Sequence, residues 1–271
     1  MGKRIFLDKV FTAFSLIVSL FVIVILFWIL KDVFIFGIKS INLSFFLEDP
    51  RPPGIEGGGL RNAIVGSFII TFIALIISFP IALLSAIYIN EYNRKIANVV
   101  RFVSDVMLSV PSIVIGAFAY AILVRPFKTF SAISGSFALA IISIPIILKM
   151  VDELIRLVPD ATKEAAYALG APKWKVITKI ILSYVKTGIL TSIILAFSRI
   201  FGETAPLLFT SFNNSMFEID ITKPMATLTV NIFVYAMSPY ESWHKLAWAA
   251  SFFIVIFVLL SNIISRTLQK H

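Results

Sequence analysis

Two opposite charges stand four residues apart in a stretch that carries no other: Arg199 and Glu203, within Thr187–Phe217. That spacing puts both on one face of a helix. A charge at membrane depth costs on the order of 2.5–3.5 kcal/mol, so such groups face a pathway or a partner. A guanidinium offers positive charge and several donors in a planar fork, the chemistry that an oxyanion needs. Two readings are open: a cation lining a path for an anion, or a structural ion pair that fixes helix packing. Thr204 follows directly, and Ser198, Thr210 and Ser211 are near. These hydroxyls either donate to a passing anion or bond the carbonyls of their own helix.

Other chemistries are missing. No Gly-x4-Gly-Lys-[Ser/Thr] occurs, so the chain lacks the phosphate cradle with which P-loop proteins bind nucleotides. There are no cysteines, and two histidines, His244 and His271, are too few and too scattered to ligate a metal. No metal site and no catalytic constellation are expected.

The elements that carry these residues follow from composition. Of 271 residues 59% are apolar and 14% charged, and mean hydropathy is +0.95. Soluble domains carry about a quarter charged residues. The apolar residues fall in blocks near the ~20 that a membrane-crossing helix requires. The fold class expected is an all-α integral membrane protein with six transmembrane helices, at about residues 10–31, 63–89, 104–124, 130–150, 184–209 and 245–266 of one domain spanning 1–271. The first block has a basic head, Lys3, Arg4 and Lys9, but exceeds the ~7–15 apolar residues of a signal core and lacks a small-residue cleavage site. It reads as a retained helix. Counting ~1.5 Å per residue from Tyr184 puts Arg199 roughly 22 Å along the fifth helix.

The net charge of +9 is a matter of orientation. With six spans, fifteen basic residues fall on the side of both termini and eight on the other, against seven acids on each. The positive-inside rule then puts both termini in the cytoplasm of a cell whose inner membrane the chain crosses. No folded basic domain exists to carry a nucleic-acid footprint. Outside the bilayer, 32–62 contains Pro50-Arg51-Pro52-Pro53-Gly54 and Gly57-Gly58-Gly59 and reads as irregular loop. The other external segment, 210–243, contains an apolar stretch, Met225–Met237, that fits a re-entrant or an interfacial helix equally. Trp243 and Trp248 flank the last span as interface-seeking aromatics do. Pro80, Pro111, Pro145, Gly202 and Pro206 lie in or near spans, where packing neighbours can satisfy the freed backbone.

One inner segment, about 151–183, is long and polar. Asp160 is placed to cap a helix through Ala165, Ala166 and Ala168, with Gly170 as its left-handed end. Pro172 fits the first turn of a second short helix with Trp174, Val176, Ile177, Ile180 and Ile181 on its apolar face. Glu164-Ala165-Ala166, then Gly170, then Ile180-x-Leu182 resembles the EAA loop of bacterial ATP-binding-cassette importer permeases. The family's pattern is Glu-Ala-Ala, three residues, Gly, nine residues, then Ile-x-Leu-Pro, and the spacing matches throughout. Ser183 stands where the family usually has proline, which weakens an expected helix break.

A second resemblance narrows the class. Arg199-Ile-Phe-Gly-Glu-Thr-Ala-Pro-Leu-Leu-Phe-Thr210 is similar to the fifth span of the A-type permease subunit of phosphate-specific transport systems, and so are Ala86–Tyr92, Ser109–Val114, Leu157-Val158-Pro159 and Ala247–Ala250. The resemblance implies a six-helix permease of the type I importer architecture. It implies coupling by Glu164, Ala165, Ala166 and Gly170 to cytoplasmic ATPase subunits that hold ATP and Mg, none of it bound by this chain. It further implies a C-type permease partner and an external phosphate-binding protein. Arg199, Glu203 and Thr204 would then border the substrate path, with Arg199 touching phosphate transiently and Glu203 holding that arginine when the path is empty. Other readings stay open: a permease for sulfate, molybdate or another small anion, or an ATP-independent transporter or channel, though no convincing inverted repeat is visible.

Overall fold

A computed structural model describes residues 2–92 and 94–268. His271, weighed above, lies outside the described residues, as do Lys270 and the side chains of Lys3, Arg4 and Arg94, four of the fifteen basic residues counted on the side of the termini. All regular structure among the described residues is helical. The principal helices are α1 (Gly2–Ser40), α2 (Arg61–Glu91), α3 (Arg94–Ser109), α4 (Ser112–Ala119), α5 (Ala132–Arg156), α6 (Asp160–Ala168), α7 (Leu182–Phe201), α8 (Leu228–Ala236) and α9 (Glu241–Leu268).

The core is built around α5. Its Leu139, Ile147, Val151 and Ile155 are buried against Ile70, Ala74, Ala82 and Ala86 of α2 and Val185, Ala196 and Ile200 of α7. Small residues let the backbones come close: a methyl at Gly188 of α7 would stand 2.6 Å from Leu154 of α5. Apolar solvent gives no hydrophobic drive between helices, so this close packing does the holding. A second cluster joins Phe45, Leu60, Leu228, Tyr235, Ala249 and Ala250, which seats α8 against α9.

Four helices are long and apolar enough to cross a membrane: Phe6–Ser40, Arg61–Glu91, Lys173–Phe201 and Glu241–Leu268. The pair Lys95–Ser109 and Ser112–Phe127 would add a fifth if counted as one broken span. Every residue from Phe6 to Ile29 is exposed, mostly large and apolar, and an exterior of that kind suits acyl chains rather than water. This is a multi-pass membrane protein.

Several expectations are corrected. Residues 104–124 do not run as one helix: the chain turns by 98° between α3 and α4. Pro111 sits at the turn with φ −57° and ψ 133°, and it can neither donate backward nor let its predecessor stay helical. α3 is amphipathic, so only the part after the bend is uniformly apolar. Pro80 and Pro145 lie inside α2 and α5 without ending them. The fifth helix stops at Phe201 rather than 209, because Gly202 ends it and a single turn, Ala205–Leu208, follows. Met225–Met237 turns inward as α8, with Leu228, Thr229, Val230, Asn231 and Tyr235 buried.

Candidate functional site

The far end of α7 carries the charge pair. Arg199 lies in the last turn, where a cation complements the partial negative charge of the helix end. Gly202 then takes the chain off the helix axis and Glu203 folds back, its N–H donating to the Ile200 carbonyl at 3.2 Å. Arg199 Nη2 and Glu203 Oε1 are 3.6 Å apart, with the arginine side chain 66% exposed and the carboxylate only 14%. That distance is an ion pair beyond hydrogen-bond length, so the guanidinium keeps donors to offer. The two charges do meet, but not on one helix face, since Glu203 lies beyond the end of α7; the arginine is the outward partner.

Glu203 is fixed through its backbone. Thr229 Oγ1 of α8 donates to the Glu203 carbonyl at 2.8 Å, and Ser67 Oγ of α2 accepts the N–H of Leu228 at 2.9 Å. Thr204, half-buried, opens the Ala205–Leu208 turn, its carbonyl accepting from Leu207 and Leu208. That turn is gripped from both sides: a methyl at Gly116 would meet Pro206 at 2.6 Å, and one at Gly135 would meet Ser211 at 3.0 Å. The other hydroxyls turn inward. Ser198 donates to Ile194, Thr210 to Pro206 and Ser211 to Leu207, each bonding a carbonyl one turn back.

At the opposite end of α7 lies the segment with the Glu-Ala-Ala pattern. α6 covers Asp160–Ala168, and Pro159 rather than Asp160 occupies the cap position, which places Asp160 in the first turn. The end is as expected: Gly170 takes φ +76°, its N–H donates to Tyr167, and the Ala171 N–H donates to Ala166, a Schellman closure. Glu164 and Ala165 are exposed, Ala166 is buried, and Gly170 has open space around it. Beside them Leu169 is 89% exposed, and Trp174 too is exposed. The second short helix is absent as a separate element. Lys173–Lys175 passes through a π segment, Val176–Ile181, directly into α7, and without proline at 183 nothing interrupts it. The connecting segment is therefore 157–172, since α5 continues to Arg156.

Residues 78–271 match the family described as "Binding-protein-dependent transport system inner membrane component". The chain belongs to that family. Similar permeases are named phosphate transport system permease protein PstA. The one from Yersinia pestis is 44% identical, with 97% of this chain and 91% of that protein covered. The one from Pasteurella multocida is 44% identical over 96% and 93%. A probable PstA permease from Methanocaldococcus jannaschii is 34% identical over 94% and 91%. Among solved structures, an inward-facing methionine ABC transporter gives a TM-score of 0.58 at 15% identity, covering 77% of this chain and 93% of that one. A bacterial ABC transporter for alginate gives 0.56 at 16% identity, covering 77% and 79%. These likenesses are of fold.

The permease also holds charges that sequence reasoning passed over. Asp152 of α5, buried, accepts a two-pronged pair of hydrogen bonds from Arg101 of α3 at 2.9 Å each, two from Arg156 at 2.8 and 3.4 Å and one from Asn90 of α2 at 2.7 Å. A cavity of about 290 Å³ opens beside it, lined by Asn90, Arg101, Arg156, Asp160 and Lys163. Asp152 and Arg156, four apart, were visible as a helix pair. Arg101 is 51 positions away, and no local pattern announces it.

Proposed function

We propose that this permease carries inorganic phosphate inward across the cell's inner membrane. It works in a complex with a C-type permease, ATPase subunits that bind ATP and Mg, and an external phosphate-binding protein. Six spans with cytoplasmic termini complete the reading: the four long apolar helices, the bent α3–α4 pair and the packed α5. Relatives named for phosphate transport, 44% identical over nearly the whole chain, support the substrate. The observation that carries the mechanism is the asymmetric pair, an exposed Arg199 guanidinium tethered to a sheltered Glu203.

A partly neutralised arginine binds a divalent oxyanion without trapping it. The anion arrives, takes the free donors of Arg199 and loosens the contact with Glu203; as it leaves, the carboxylate recovers the guanidinium. Thr204, next in sequence, borders the same path. At the other end, Glu164, Ala165 and Gly170 form the surface that the ATPase grips, with Ala166 buried beneath them to seat the helix. The exposed α6, with Leu169 and Trp174 uncovered, supports a protein contact there.

The test is labelled-phosphate uptake by Arg199→Gln and Arg199→Lys at matched membrane levels. A hydrogen bond to a charged group contributes about 1.5–3 kcal/mol, so Arg199→Gln is expected to transport roughly ten- to a hundredfold more slowly. Arg199→Lys, which keeps the charge but not the fork, falls between. Wild-type uptake in both would leave Arg199 a packing residue.

A further inference from the structure

Two lysines from either side of the Gly170 turn close on the end of α2. Lys163 of α6 donates to Glu91 Oε1 at 3.0 Å, with the two side chains only 12% and 9% exposed. Lys173, just past Pro172, donates to the Glu91 carbonyl and lies 3.9 Å from the ring centre of Tyr92. None of this is needed to finish α6, which Gly170 and Ala171 already close. Nor is a buried ion pair an efficient stabiliser, since desolvation offsets most of its attraction. What it does provide is a contact specific in direction and partner. Lys163 touches Asp160 as well, at 3.5 Å within its own helix, so the bond to Glu91 is the one that leaves α6.

The opposite end of α2 has a matching attachment. Ser67, buried, accepts the N–H of Leu228, and the next residue, Thr229, donates to the carbonyl of Glu203. Between Ser67 and Glu91 runs one helix, about 36 Å long at 1.5 Å per residue. Pro80 lies within it, yet the helix is not broken there. An unbroken helix bonded at both ends moves as a body.

We propose that α2 is the transmission rod of the permease: displacement of α6 enters at Glu91 through Lys163 and Lys173, and leaves through Ser67, Leu228 and Thr229 to reposition Glu203, and with it Arg199. This rests on the reading of α6 as the ATPase contact and of Arg199 as part of the path. Glu91, Lys163 and Thr229 are positioning residues; none touches phosphate.

The experiment uses the full complex in liposomes and measures phosphate uptake and ATP hydrolysis in the same sample. Lys163→Met, Glu91→Gln and Thr229→Val are each expected to lower phosphate moved per ATP at least about fivefold, the lower end of ordinary coupling between sites. The double exchange Lys163→Glu with Glu91→Lys restores the ratio to within about twofold of wild type, which mere loss of fold would not allow. Thr229→Val is nearly isosteric and remote from the ATPase, so it decides even if the lysine variant fails to accumulate. A wild-type ratio in Thr229→Val, or a double exchange no better than its singles, overturns the rod. If the wild-type complex hydrolyses ATP without moving phosphate, the underlying reading falls first and takes the rod with it.

Discussion

Glu203 is held by its carbonyl while its carboxylate pairs loosely with Arg199, and that division sets what its replacement does. Glu203→Gln keeps the bond from Thr229 but removes the counter-charge of Arg199. The guanidinium then meets an anion unopposed, and hydrogen bonds to a bare charge are the strong kind. Phosphate is expected to bind more tightly and leave more slowly. In concentration-dependent uptake both KM and the maximal rate should fall, the rate by roughly tenfold if release is slowed by about 1.4 kcal/mol. An unchanged maximal rate would remove Glu203 from the release step. The pair itself was legible: two charges at helical spacing in an apolar run admit few arrangements. The hydroxyls were not, because serine and threonine satisfy themselves on the preceding turn without any sequence mark. The full partner set of Asp152 was illegible for another reason. Its principal partner, Arg101, comes from a different helix, 51 positions earlier.

At the scale of elements, α6 depends on Gly170. With φ +76° and no atom within 4 Å of an added methyl, its strain on substitution is conformational and not steric. A β-branched residue there costs about 1–2 kcal/mol, while asparagine tolerates the left-handed region. Gly170→Val is therefore expected to recover roughly tenfold less ATPase on co-purification of the complex, and Gly170→Asn to match wild type. Equal recovery in both would mean that α6 needs no fixed end to be gripped. This closure was readable because glycine after an alanine-rich run is a local signal. The broken span was not, since hydropathy is continuous across 106–124 and only backbone geometry registers the 98° turn. For α8 the helix was legible but its placement was not: nine residues are too few to cross, and its burial comes from distant partners, Ser67 and the alanines of α9.

Across the whole molecule, order is unevenly distributed. α2, α5 and α7 share one interior, whereas α1 is exposed over residues 6–29 and packs near its end, where Gly37 lies against Phe252 and Trp248 of α9 and Phe34 meets Phe252 edge-on. Residues 6–29 are exposed, so truncating the chain to begin at Leu30 should shift thermal unfolding of the purified remainder by no more than a few degrees, as for surface changes within about 0.5 kcal/mol. A large drop would show that α1 braces the interior. The number and length of apolar runs made the membrane architecture readable; which of them huddle together was not, because lipid and protein interiors ask for the same residues. The consequence concerns preparation as much as biology. A hull plank fastened at one edge takes its set from whatever lies alongside, and here the neighbour is acyl chain, detergent or a second subunit. Samples that differ only in that surrounding medium will differ in the tilt of residues 6–29 while agreeing everywhere else.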